Sequence, residues 1–570
     1  MTAPPGFDGL FRSDLRARAA YAESAGIYRV LPAAVAVPAS VQDLIRLVHW
    51  AREEGRHLTP RGAGSSIGGS AVGPDIIVDL RERMPSRLDL IPQDRVAVAS
   101  ANLPLADLNQ QAARFGLRLP PDPSSGAWAT LGGMVACNAA GARSVKYGSV
   151  RPWVLGLELV TADGEVGWLW RDGARPAMDD STRTSPHLAL ARFHTDAAPA
   201  LRTAAELVRA RFPRVRKNAS GYALDRWLES GDDLDLLIGA EGTLGLVTTV
   251  VWRLDPLPPA RSALRIALGS LDDLEAAVQT LVALDPSAVE LLDRTFLDLL
   301  RRSDRRLDLP DVTTGAQAIL LVEFEAESAA AARSRAGDAA RSLKGLALEV
   351  ATALTPDDER RLWTLRHAAS PILASLPADR RSLQVIEDGC VPLPKLGAYI
   401  RAVRDAAAAR GLTVVVFGHA GDGNVHVNLL PELARPDWPE LVAGLYEDVQ
   451  EALLRLGGSL SGEHGDGRLR TPWLPRQYGP EVMALFRQVK AAFDPAGILN
   501  PGVKLPAGTS PFTALKVGPG ATPLPDDIAL ALRRIEQTGG YARSRLDIAD
   551  RPESVPEQGS TPSLSLSEDD

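Results

Sequence analysis

The sequence predicts an α+β protein with more than one sheet-bearing unit, and three observations carry that expectation. Near the amino terminus a helix, a strand, a glycine-rich turn and a second strand follow in order. The run WVLGLELVTADGEVGWL alternates apolar and polar residues as a hairpin does. From about residue 260 to 455, Ala/Leu/Arg-rich helical stretches alternate with strands such as AILLVEFEA and TVVVFG, which suits an antiparallel sheet covered by helices.

Ser40 precedes an amphipathic run with Val41, Leu44, Ile45 and Val48 at helical spacing, Asp43 completes a capping-box pattern and Gly55 follows, so a helix is expected there. The strand HLTP, the loop RGAGSSIGGS from Arg61 to Ser70 and the strand DIIVDL come next. Pro120 to Val150 has almost no hydrophobic periodicity, and its small residues suit backbone lying against a flat or phosphorylated ligand. It reads as a functional loop. Asp163 and Gly164 sit in the hairpin turn, Gly239 to Leu254 leads into a further strand, and DPLPPA breaks the chain near residue 258. Val482, Leu485, Phe486, Val489 and Phe493 form one helical stripe closed by DPAGILNPG. Beyond about residue 508 the composition turns to Pro, Ser, Glu and Asp, and disorder is expected over roughly the last 20 residues.

With 570 residues the chain has room for two or three domains and an ample core. Its net charge of −8 and lack of a long basic run argue against nucleic acid as a partner. Cys137 and Cys390, the two cysteines, cannot build a disulfide framework or an iron-sulfur cluster, so a reducing, cytoplasmic setting is expected. The first residues lack the apolar stretch of a signal peptide and no 18-residue uncharged apolar run occurs, which argues against integral membrane association and leaves peripheral docking open. No GxGxxG follows a strand and no GxxxxGK[ST] is present, so neither a Rossmann nor a P-loop site is supported.

Two glycine-rich runs concentrate ligand-type side chains: GHAGDGNVHVN, with His419 and His426, and SGEHGDG, with Glu463 and His464. If the flanking runs are strands, His426 and Asn428 share a face, and His419 at the end of the preceding strand can turn toward them. Two imidazoles and the Glu463 carboxylate make a typical three-ligand divalent site with an open position. Zn, Mn and Fe(II) all fit that set. The competing reading makes the histidines turn-associated hydrogen-bonders and Glu463 an exposed loop charge.

Together these segments resemble the FAD-linked oxidases of the vanillyl-alcohol oxidase or PCMH type. Within them they resemble the D-2-hydroxyacid dehydrogenase branch, which includes D-lactate dehydrogenase, the D subunit of glycolate oxidase and D-2-hydroxyglutarate dehydrogenase. The likeness runs from about Tyr28 to Pro506. It implies a PCMH-type FAD-binding domain of two α+β subdomains over 28–258 and a cap domain with a helix-covered antiparallel sheet over 259–455. It also implies a segment over 456–507 that returns to the flavin, leaving 1–27 as a leader and 508–570 as a tail.

The resemblance implies that Arg61, Gly62, Ala63, Gly64, Ser65 and Ser66 wrap the FAD pyrophosphate, as successive amides of a glycine-rich turn form an anion nest. A second FAD segment implicates Pro123, Thr130, Gly133, Asn138, Ser144 and Gly148, a third Glu241, Gly242, Gly245 and Val247, and LNPG adds Asn500. Relatives that tether FAD covalently place a histidine in or near the first loop. Ser65 and Ser66 stand there in this chain, so non-covalent FAD is expected. Ala63 and Ala140 replace glycines of many relatives, which costs little where φ is negative.

In the same branch His419, His426 and Glu463 match the metal ligands, with Zn or Mn expected, Asn428 a substrate contact and His464 the base. Arg366 matches an arginine whose planar fork clamps the substrate carboxylate. A lysine used by the hydroxyglutarate enzymes is replaced by Ile386, with Arg380 and Arg381 nearby as substitutes. The tail runs ALKVGPG and GGYAR resemble a linker to an iron-sulfur half in longer members, which implies a separate iron-sulfur or quinone-linked electron acceptor.

The implied reaction is oxidation of a D-2-hydroxy acid to the 2-oxo acid, with His464 taking the hydroxyl proton and a hydride passing from C2 to flavin N5. The alternatives are an oxidase of another alcohol and a flavin-binding subunit of a larger complex with an iron-sulfur partner.

Overall fold

In a computed structural model of the chain, residues 1–171, 173, 187–302, 315–353 and 355–551 are described. The first sheet holds β1 (Leu10–Arg12), β2 (Ala34–Val37), β3 (Leu58–Arg61) and β4 (Ile76–Asp79) in the order β1-β2-β4-β3. β2, β4 and β3 run parallel and are buried on both faces, which is why they read as continuous apolar runs without alternation. Between them lie α1 (Leu15–Ala20) and α2 (Val41–Glu53). The Ser40 hydroxyl accepts from the Asp43 amide at 3.2 Å and starts α2, whose Leu44, Leu47, Val48 and Ala51 face the sheet. The capping box is one-sided, because the Asp43 carboxylate turns to the amides of Ala39 and Asp8.

The second sheet is antiparallel and holds β5 (Leu88–Ile91), β6 (Val96–Ser100), β7 (Val154–Val160), β8 (Val166–Trp170) and β9 (Leu246–Arg253) in the order β5-β6-β9-β7-β8. β7 and β8 form the expected hairpin, with Asp163 and Gly164 between them. The stretch from Pro120 to Val150 is not loop throughout: α3 (Leu131–Cys137) is capped by Thr130, whose hydroxyl accepts from the Gly133 amide, and ends at Asn138 with φ 52°. Its apolar face is only Leu131, Met134 and Val135, too short a stripe to show as periodicity.

The third sheet follows the break near residue 258. It holds β10 (Ala260–Leu268), β11 (Ala288–Asp293), β12 (Ala318–Ala326), β13 (Glu349–Thr352), β14 (Leu383–Cys390), β15 (Thr413–His419) and β16 (Asn424–Leu430), in the order β13-β10-β12-β11-β15-β16-β14. All its pairings are antiparallel. The intervening helices α4 (Asp272–Val282), α5 (Ala329–Ser342), α6 (Pro356–His367), α7 (Leu396–Ala408) and α8 (Trp438–Arg455) contribute apolar faces to its packing. Arg143 binds Glu323 of β12 through two nitrogens, both at 2.8 Å, and so fixes the 120–150 segment against this sheet.

α9 (Leu474–Phe493) buries the predicted stripe and is kinked at Gly479, φ +79°, ahead of Pro480. The chain then returns to the first sheet, where the Leu58 amide donates to Ile498 and the Asn500 amide to Leu58, both at 2.8 Å.

The ends of the chain need a correction. The supposed leader supplies β1 and α1, and the supposed tail supplies α10 (Asp526–Thr538) and α11 (Arg545–Asp550). Ala17, Ala20 and Tyr21 pack with Ile528, Leu532, Ile535 and Ile548 in one apolar cluster over Val35 and Ile77. Composition masked a helical stripe at Ile528, Ala531, Leu532 and Ile535. The terminal stretch expected to be disordered lies outside the described residues.

Candidate active site

A long cavity runs between the first two sheets and opens toward the third. The glycine loop after β3 lines it through Arg61, Gly62, Ala63, Gly64, Ser65 and Ser66, the second segment through Pro123, Thr130 and Gly133, and the third through Glu241, Gly242, Gly245 and Val247. Gly64 needs its lack of a side chain: φ is +72°, and a Cβ would stand 2.3 Å from Arg61 Nη2. Ala63 and Ala140 are not among the residues with positive φ, so alanine is unstrained at both. The Arg61 guanidinium turns under the loop to the carbonyls of Glu23, Tyr21 and Ala71 and braces it from behind.

Four expected flavin contacts stand off the cavity wall. Asn138 and Gly148 line a second cavity, and Ser144 donates to Asp422 at 2.6 Å. Asn500 is buried and donates to the carbonyls of Ser70 and Glu241, both at 2.9 Å, so it clamps two wall loops together. The sequence marks these positions because the turns need them, whereas the cavity is faced by their neighbours.

At the far end the β15–β16 hairpin presents the histidines. Phe417 pairs with His426 and His419 with Asn424, so His426 and Asn428 share the cavity face while Val425 and Val427 are fully buried on the other. His419 Nε2 lies 2.9 Å and His426 Nε2 3.4 Å from the same oxygen, Glu463 Oε1. Their ring centroids are 5.1 Å apart and edge to face. The other ring nitrogens are held: His419 Nδ1 lies 2.7 Å from Glu290 and His426 Nδ1 2.7 Å from the Glu387 carbonyl. Acceptors on Nδ1 fix each ring with its Nε2 turned to one point, the arrangement that orients imidazoles for a cation.

Charge is arranged around that point. Burial opposes charging of His419, but Glu290 and Glu463 outweigh it and raise its pKa to about 9. Burial and the neighbouring His464 and His419 keep His426 low. Burial alone would raise Glu290, yet His419 and Arg366 hold it at about 2. Lys217 Nζ sits 2.8 Å from the second oxygen of Glu463.

His464 stacks on His426 with centroids 5.0 Å apart, and its Nδ1 lies 2.5 Å from Glu387, which Arg470 also pairs. Burial lowers its pKa, but Glu387 and Asp388 outweigh that and raise it to about 9. Arg366 on α6 donates Nε to Glu290 at 2.6 Å, stacks 5.1 Å over the Phe417 ring, and makes no further hydrogen bond among the described residues. Asn428 accepts from the Ser382 hydroxyl at 2.9 Å. All six expected metal and catalytic residues therefore line the same cavity as the three glycine-rich segments.

Sequence reasoning missed Glu290, Glu387, Asp388 and Lys217. The first two had a signal, since each is a carboxylate inside an otherwise apolar strand, AVELLD and LQVIEDGC. Asp388 accepts from the amides of Glu463 and His464 and the Ser461 hydroxyl, fixing the SGEHGDG turn.

Residues 32–169 match the family model described as an FAD binding domain, and residues 257–503 match that of the FAD linked oxidases, C-terminal domain. The chain is 30% identical over 470 residues to D-lactate dehydrogenase of Archaeoglobus fulgidus, covering 82% of this chain and 90% of that protein. It is 29% identical over 478 residues to glycolate oxidase subunit GlcD of Bacillus subtilis, covering 83% and 89%. Against D-2-hydroxyglutarate dehydrogenase of Escherichia coli it is 28% identical over 520 residues, 87% of this chain but 50% of that protein, so it spans half that relative's length. Among solved structures, p-cresol methylhydroxylase superposes with a TM-score of 0.64 at 14% identity, covering 88% of this chain and 95% of that one. These fold neighbours and the flavin-domain match define the α+β architecture as PCMH-type and the cofactor as FAD. The chain belongs to the FAD-linked oxidases, in the branch that holds the D-lactate, glycolate and D-2-hydroxyglutarate dehydrogenases.

Proposed function

We propose that this protein is an FAD-dependent dehydrogenase that oxidises a D-2-hydroxy acid to the 2-oxo acid, with a divalent ion, Zn or Mn, held by His419, His426 and Glu463. The observation that carries this reading is the convergence of both Nε2 atoms on one Glu463 oxygen at the end of the cavity that the flavin loops line. Two imidazoles and a carboxylate, each imidazole fixed through Nδ1, fit such an ion and leave a position for substrate.

Arg366 offers its terminal nitrogens to the substrate carboxylate, while Glu290 holds its Nε and Phe417 its plane. Asn428 faces the same space and orients the substrate's oxygens. His464 accepts the hydroxyl proton at Nε2, because Glu387 occupies Nδ1 and stabilises the imidazolium that results. When bound, the ion lowers the pKa of the substrate hydroxyl and FAD accepts the C2 hydride.

FAD is read as dissociable, since the nest carries Ser65 and Ser66 in place of a tethering histidine. Electrons are inferred to leave to an iron-sulfur or quinone-linked partner: Cys137 and Cys390 are both pushed up to about 12 by burial and are poor cluster ligands. No helix among the described residues is long and apolar enough to cross a membrane.

The test is anaerobic bleaching of the bound flavin by 2-hydroxy acids, with metal analysis of the same sample. Bleaching that stops on chelation and returns with Zn or Mn is expected. Bleaching that persists after complete metal removal overturns the role given to the ion, and bleaching by no 2-hydroxy acid overturns the whole reading.

A further inference from the structure

β14 is not a regular strand. Leu383 pairs with Leu429 and Ile386 with Val427, so three steps on β14 match two on β16 and the ladder carries a bulge. Val385 and Ile386, consecutive in sequence, both turn into the core at 1% and 2% exposure. Gln384 and Glu387 line the cavity instead. The position that the resemblance gave to Ile386 is therefore a core position, and the side chains that line the cavity from this strand are a neutral amide, Gln384, and a carboxylate, Glu387.

The candidate substitutes are engaged elsewhere. Arg380 is exposed and bonds Glu432 at 3.3 Å. Arg381 pairs with Glu536 of α10, a carboxylate that Lys516 and Arg533 also hold. Among the described residues lining the cavity the arginines are Arg61 and Arg366, and no lysine lines it. The guanidinium of Arg61 is spent on backbone carbonyls behind the glycine loop. Arg366, stacked on Phe417, thus provides one fork for one carboxylate, and the same cavity is lined by Gln384, Asn428 and the Glu387 carboxylate.

We propose that the substrate is a 2-hydroxy monocarboxylate with a short, uncharged substituent at C2, and that Gln384 with Glu387 sets this choice. The inference rests on the proposed function and narrows it. A second carboxylate would be desolvated with no guanidinium or ammonium left to receive it, because Glu387 already engages Arg470 and His464 and Gln384 offers only a neutral amide, a mismatch that discriminates by leaving a buried charge unpaired.

The wild-type holoenzyme is tested by anaerobic stopped-flow bleaching with D-lactate, D-2-hydroxybutyrate, D-malate and D-2-hydroxyglutarate. The reduction rate over Kd for each monocarboxylate exceeds that for either dicarboxylate by at least ~10-fold. Gln384→Lys, checked for bound FAD, moves that ratio toward the dicarboxylates by ~10-fold or more. A wild-type ratio at or below unity overturns the inference and leaves the proposed function standing. An FAD-loaded Gln384→Lys with an unmoved ratio removes Gln384 as the determinant. If none of the four acids bleaches the flavin, the proposed function fails and the inference falls with it.

Discussion

Lys217 and Glu463, 246 residues apart in the chain, meet as a buried ion pair with Nζ 2.8 Å from Oε2. The lysine takes one oxygen of the carboxylate and leaves the other, Oε1, to the two histidines. Its own segment is threaded beneath the SGEHGDG turn, where Ser220 and Gly221 both donate to Asp466 at 2.7 Å.

Replacing Lys217 with Met leaves a buried carboxylate oxygen without its cation. Breaking a buried pair from one side costs about 3–5 kcal/mol. Urea unfolding of the variant should show that loss as a lower midpoint at similar slope. A midpoint equal to wild type would show that the pair contributes nothing to stability.

His464→Asn removes the proposed proton acceptor and keeps the flavin. Reduction of FAD by substrate should slow by roughly 10²–10⁴-fold. The base must be unprotonated, and its pKa is raised to about 9, so wild-type reduction should quicken as pH rises toward that value. Glu387→Gln removes the main partner that raises it and should move the rise to lower pH. Stopped-flow reduction across pH 6 to 10 checks both, and a flat wild-type profile would contradict the assignment.

Gly64→Ala sets a Cβ against the guanidinium that braces the flavin nest, at a positive φ. The strain is on the order of 1–3 kcal/mol. The purified variant should carry less FAD per chain than wild type, as read from the ratio of visible to ultraviolet absorbance.

Glu536 ties α10 to Lys516, Arg381 and Arg533. Burial would raise its pKa, but these cations hold it at about 2, below the ordinary value of 4.5. A depressed carboxylate contributes stability that is present above its unfolded pKa and lost as pH falls through the folded one. Wild type should therefore exceed Glu536→Gln by on the order of 1–3 kcal/mol at pH 7. Thermal melts should show the gap closing between about pH 4.5 and 2. A gap independent of pH would mean that the pairing is not electrostatic.

Acid precipitation of the holoprotein should leave the yellow chromophore in the supernatant, as expected of a flavin whose nest offers Ser65 and Ser66. Colour retained in the pellet would reveal a covalent bond.

Much of this was legible in the sequence because periodicity and turn chemistry are local. α2, the β7–β8 hairpin, the helix-covered third sheet and the face shared by His426 and Asn428 all follow from spacing and patterning. What could not be read depends on partners far along the chain. The bulge in β14 reverses which residues face the cavity, and a pattern of period two gives no warning of it. Glu290 and Lys217 gain their roles only through contacts across 129 and 246 residues. Asn138 and Asn500, with φ of 52° and 42°, mark conformations that shape the wall without forming it.

The packing of α1 against α10 and α11, like the bond from the Leu469 amide to Gly68 of the glycine loop, sets the timing of assembly. A nascent polypeptide emerging from the ribosome lacks the wall that Glu463 and His464 give the cavity until both have been synthesised. Translation stalled before α10 would leave Ala17, Ala20 and Tyr21 uncovered, an apolar seam open to chaperones and proteases.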